Sequence, residues 1–120
     1  MEIARVILRC ADLDRAVEFW RDAVGLELIK QSDGFAFFAA GSTDLLLTEV
    51  PPDQIVPSLT EVVFAVDDVR STHQHLLERG VPFEVEPRPV MTAGNRQLLA
   101  THFRDPDGNL ASVTGWVEEP

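Results

Sequence analysis

The feature that most constrains this 120-residue chain is that it reads as one pattern written twice. Val6-Ile7-Leu8-Arg9-Cys10 is rich in strand formers and is followed by Asp12, a good helix N-cap. Leu13, Ala16, Val17, Trp20 and Val24 then recur at helical spacing, and Gly25 stops the run. Val62-Val63-Phe64-Ala65-Val66 starts the pattern again, with Asp68 as cap. Val69, Thr72, His73, Leu76 and Leu77 form the second stripe, and Gly80 ends it. The offset is 56 residues from Val6/Val62 through Leu13/Val69 and 55 at Gly25/Gly80.

Each expected helix is followed by more strand-like sequence. In the first copy these stretches are Glu27–Lys30, Phe35–Ala40 and Asp44–Val50; in the second they are Phe83–Glu86, Leu98–Arg104 and Leu110–Trp116. Asp105-Pro106-Asp107-Gly108-Asn109 is a strong turn signal between the last two. The pattern predicts an α+β fold of two tandem βαβββ modules in one domain, residues 1–120. Module one covers about residues 3–50, the proline-rich linker about 51–58, and module two about 59–117. Each sheet would carry a helix on one face, and the other faces can curve together into a mixed-sheet cleft. The longest irregular stretch is expected over Pro87–Gln97, a place where function often resides.

Composition narrows the function classes. A net charge of −10 argues against nucleic acid, which needs a basic footprint, and against anionic membrane surfaces. It mildly favours cationic ligands, although solubility alone accounts for it. No apolar run approaches the roughly 20 residues that span a bilayer, and the first residues lack a signal-peptide pattern. The single cysteine, Cys10, fits a reducing compartment, so a cytoplasmic protein is expected.

The stretch Asp12-Leu13-Asp14-Arg15-Ala16-Val17-Glu18-Phe19-Trp20-Arg21-Asp22-Ala23-Val24-Gly25-Leu26, with Phe103-Arg104-Asp105-Pro106-Asp107-Gly108-Asn109, resembles the vicinal-oxygen-chelate superfamily. That group includes glyoxalase I, extradiol dioxygenases, fosfomycin-resistance enzymes and bleomycin-resistance proteins. The resemblance covers roughly residues 3–117 and implies the glyoxalase/bleomycin-resistance/dioxygenase fold and a homodimer. In metal-dependent members the ligands sit on the first and last strand of each module. The resemblance maps those places onto Arg5, Leu46, Glu61 and Ser112. Arginine has no lone pair to offer and leucine has no donor atom, so a divalent ion would lack the three or four ligands it wants. The expectation is therefore no metal and no cofactor. A register slip turning Glu49 inward, with His102 joining Glu61, is the one rescue.

An Arg5–Glu61 ion pair could replace the metal crosslink. Strand alternation then places Ile7, Arg9, Val63 and Ala65 on the cleft side, and Ser112, Thr114 and Trp116 together on the last strand. Phe35, Phe37 and Phe38 lie on a cleft-forming strand whose parity is open. The expected ligand pocket comprises Arg5, Ile7, Phe37, Leu46, Glu61, Val63, His102, Ser112 and Trp116. Glu61 and His102 are the candidate catalytic groups. His73 reads as packed, His75 as surface, and Cys10 as inert on the helix side of its strand. The expected function is metal-free binding of a small organic molecule, as in bleomycin-resistance proteins. The alternatives are an enzyme with an altered site and an accessory module without ligand.

Overall fold

Alternation of apolar and polar residues is what separates the two faces of each sheet, and the computed structural model, which describes residues 1–118, follows it closely. In the first unit, residues 1–57 with 105–109, the elements are β1 (Arg5–Cys10), α1 (Leu13–Glu18), β2 (Glu27–Ser32), β3 (Phe35–Ala40) and β4 (Thr43–Glu49). A π-helical segment, Phe19–Val24, continues α1, where the periodicity predicted one regular helix. Its extra residue per turn ends at Gly25, whose φ of 91° lies in the left-handed region that glycine tolerates. The sheet order is β1-β4-β3-β2, with β1 parallel to β4 and the other pairs antiparallel.

The second unit, residues 58–104 with 110–118, repeats this plan. It contains β5 (Glu61–Ala65), α2 (Val69–Glu78), β6 (Arg88–Ala93), β7 (Arg96–Arg104) and β8 (Leu110–Glu118), in the order β5-β8-β7-β6. β5 runs parallel to β8 and the rest are antiparallel. Both helices begin as the sequence predicts: Asp12 accepts from the Arg15 amide at 3.1 Å and Asp68 from the Ser71 amide at 3.0 Å.

Each core lies between a sheet and its helix. In the first unit Cys10, Leu13, Ala16, Val17, Trp20, Phe38, Leu45 and Leu47 are buried; in the second, Val69, His73, Leu76, Val81, Leu99, Phe103 and Val113. His73 packs edge-on against Phe83, 4.6 Å between ring centroids, as a core residue would. Leu77, placed on the apolar stripe from sequence, is exposed.

The strand expected over Phe83–Glu86 is replaced by a single bridge between Phe83 and Phe103, and the stretch read as irregular contains β6. Two prolines hid that strand. Pro89 sits at the bulge in the β6–β7 pairing, and β6 is an edge, the one place where a residue without an N–H is tolerated.

Candidate functional site

The helix-free face of the second sheet carries the most chemistry. On β5 the residues Glu61, Val63 and Ala65 share this face, opposite to the core-facing parity of Val62 and Phe64. The pairing register brings Val63, Ser112 and His102 into one row across β5, β8 and β7. The neighbouring rows are Glu61, Leu110 and Arg104, then Ala65, Thr114 and Ala100.

Two of these side chains meet across the intervening strand. His102 Nδ1 lies 2.7 Å from Glu61 Oε2, a short, charge-assisted distance. β8 separates their strands, so the contact passes over β8 between Leu110 and Ser112. Ser112 is buried and small; a large side chain there would stand in the way. An ionised carboxylate only accepts, so Nδ1 is the donor of this contact, which in a neutral ring leaves the lone pair on Nε2. The side chains are 24% and 29% exposed for His102 and Glu61, so the pair is reachable from solvent.

Around the pair the face is largely apolar. Val63 is 55% exposed and Trp116 38%. The Trp116 ring has the Arg96 guanidinium 4.7 Å from its centroid, a cation–π contact. Arg104 pairs with Glu84 at 3.1 Å.

The corresponding face of the first sheet is built from Arg5, Ile7 and Arg9 on β1, with Asp44, Leu46 and Thr48 opposite them on β4. β3 adds Phe35 and Phe37, whose rings meet edge-on at 5.6 Å, while Phe38 points into the core. That fixes the parity which the sequence left open. The carboxylate expected to pair with Arg5 has His102 as its partner, and Arg5 is exposed.

The usual ligand positions do not fit a divalent ion. Arg5 offers no lone pair, Leu46 no donor, and Ser112 a buried hydroxyl. Glu49 has not slipped inward. It shares the helix-side parity of Leu45 and Leu47 and accepts the Leu13 amide at 2.7 Å, capping α1 from the sheet. Among the described residues no group of three or more His, Cys, Asp or Glu is arranged to hold a metal.

A second polar cluster was visible only as a turn. Asp105 is buried and accepts Trp20 Nε1 at 3.2 Å, the Asp107 and Asn109 amides at 2.9 and 2.8 Å, and Asn109 Nδ2 at 2.9 Å. Burial raises its carboxyl above the ordinary value, against hydrogen bonds led by Asn109 that favour the ion. Asp107 accepts the Ala11 amide at 2.9 Å and Arg15 at 3.2 Å. The cluster fastens the turn to β1 and α1. Cys10 is fully buried beside it, and burial first, then Asp107 and its acidic neighbours, push the thiol up to about 12, as an inert cysteine requires.

Sequence comparison with known families matches residues 2–113 to the model described as Glyoxalase/Bleomycin resistance protein/Dioxygenase superfamily. The uncharacterised protein YraH of Bacillus subtilis is 30% identical, covering 94% of this chain and 97% of its own. The metallothiol transferase FosB of Staphylococcus saprophyticus is 27% identical over 98% of this chain and 79% of its own. Among solved structures, a lactoylglutathione lyase from Agrobacterium tumefaciens superposes with a TM-score of 0.76 at 25% identity, covering 95% and 92% of the two chains.

Proposed function

This chain belongs to the Glyoxalase/Bleomycin resistance protein/Dioxygenase superfamily, and from that premise we propose that it binds a small organic molecule without a metal, holding it as bleomycin-resistance proteins do. One observation carries the reading. The helix-free face of the second sheet exposes Val63 and Trp116 beside the Glu61–His102 pair, with Arg96 and Arg104 at its margins. Apolar walls with a few fixed polar groups are the usual composition of a ligand site. Trp116 offers a flat surface for an aromatic body. The chain acts in the cytoplasm as a homodimer, and engages neither nucleic acid, which its charge of −10 repels, nor membrane. No helix among the described residues is long and apolar enough to cross a bilayer.

Native mass spectrometry with elemental analysis of the purified protein tests this. The expected result is a dimer without stoichiometric transition metal that carries an organic mass unchanged by incubation. One zinc, iron, nickel or manganese per chain would overturn it. A second reading, an enzyme with an altered site, is favoured by the Glu61–His102 contact itself.

A further inference from the structure

We propose that Nε2 of His102 is a general base, held in place by Glu61, that takes a proton from a weakly acidic C–H or O–H of an apolar or aromatic molecule lying on the second sheet. The proposal rests on the binding reading above and adds a reaction to it. Glu61 fixes the proton on Nδ1 by a 2.7 Å contact, which leaves Nε2 as the basic atom. Nε2 has no hydrogen-bond partner among the described residues, and the ring is part-exposed. Its row contains Val63 and Ser112, and the rows on either side hold Ala65, Thr114 and Ala100, and Glu61, Leu110 and Arg104, so an incoming molecule meets apolar groups on one side of the ring and charged ones on the other. When Nε2 accepts a proton, the pair passes from negative to neutral, so no net charge is created on that surface. Glu61 is thus a positioning residue and His102 the catalytic one.

The arrangement is more than a staple between strands. A structural pair would be satisfied by any two groups that share a hydrogen bond. This one joins an imidazole to a carboxylate that selects its tautomer, with the second nitrogen left open.

The test uses 5-nitrobenzisoxazole, an aromatic carbon acid that needs only a base. The C3 proton moves to Nε2 and the C–H electron pair becomes the third bond of a nitrile. The N–O bond breaks with its pair left on a coloured phenolate, and the imidazolium returns the proton to water. The wild-type protein should exceed His102→Phe and His102→Gln by tenfold or more. His75→Gln, altered at an exposed position on α2, should leave the rate unchanged. In Glu61→Gln, kcat should fall while KM holds, and Glu61→Asp should restore part of the rate. ¹⁵N NMR should show the Nδ1-protonated ring in the wild type and its loss in Glu61→Leu, which offers Nδ1 no acceptor. Calorimetric binding of 5-nitroindole, a similar ring without the N–O bond, separates the two ideas. Binding without His102-dependent turnover overturns the base and leaves the binding reading standing. Failure of both ring compounds to bind overturns both.

Discussion

The two modules place different residues at equivalent points of one register, and the differences concentrate on the helix-free faces. The row Ile7, Leu46, Phe37 in the first sheet is the row Val63, Ser112, His102 in the second. Arg5 holds the place of Glu61 in the same way. Where the first module has two bulky apolar groups, the second has a small hydroxyl and an imidazole. Replacing Leu46 by the smaller Ser112 clears the path over the central strand, and replacing Phe37 by His102 supplies something for a carboxylate to reach. A carboxylate–imidazole contact thus enters this scaffold by three differences on one face, without disturbing the core on the other.

The helix sides differ as well. Trp20, the equivalent of Leu76, brings an indole N–H into the first core, and Asp105 answers it. Where the first module has Glu49 reaching the Leu13 amide, the second has Gly115. A Cβ on Gly115 would lie 2.5 Å from the Val66 carbonyl oxygen and 2.9 Å from Val69 Cγ2. One module anchors its helix with a side chain and the other by close backbone approach.

The largest expected effect falls on the first module. Asp105→Ala leaves the Trp20 indole and the amides of Asp107 and Asn109 without their acceptor, and should cost about 3–5 kcal/mol in chemical denaturation. A cost below 1 kcal/mol would show that the turn is held by other contacts. Next comes Gly115→Ala, where the obstacle is backbone and cannot swing aside; about 1–3 kcal/mol is expected. Its counterpart Glu49→Ala removes one charged hydrogen bond to a helix start and should cost about 1 kcal/mol. If the order of these two were reversed, the contrast between side-chain and backbone anchoring would fail.

A fourth prediction concerns alkali. Cys10 stands where the second module has Val66, so only the first module titrates there. Its folded thiol is raised to about 12 from 9.0, so above pH 9 the unfolded chain loses its proton first and stability falls as pH rises towards 12. Urea midpoints should show a loss of roughly 1 kcal/mol by pH 10 that Cys10→Ala abolishes. The smallest effect is the coupling between Glu61 and His102. A double-mutant cycle on this part-exposed pair should give about 0.5–1 kcal/mol, since solvent screens much of the attraction.

The repeat, the N-caps at Asp12 and Asp68, and the β3 and β8 starting residues Phe35 and Leu110 were legible because local propensity and burial agree there. β6 was not, because Pro87 and Pro89 argue locally against a strand that tertiary pairing imposes. The π-helical segment was also hidden, since a single turn hardly alters apolar spacing. Glu61 and His102 could be named as candidates, but their meeting depends on register across three strands. The missed signal lay in the repeat: aligning β3 with β7 would have matched His102 to Phe37. The Glu49 cap gave no local cue, as its recipient, the Leu13 amide, is 36 positions away in sequence.

The Asp105–Trp20 contact also bears on the order in which the chain can become native. The indole and its acceptor are separated by 85 positions, although both belong to the same compact unit. A ribosome delivers Trp20 85 positions before its acceptor. During synthesis the first helix can form and collapse on its sheet, yet its indole must wait until α2, β5, β6 and β7 have been made. The first unit therefore cannot be finished before most of the second is synthesised, and a truncated product ending before Asp105 would expose an incomplete core to proteolysis.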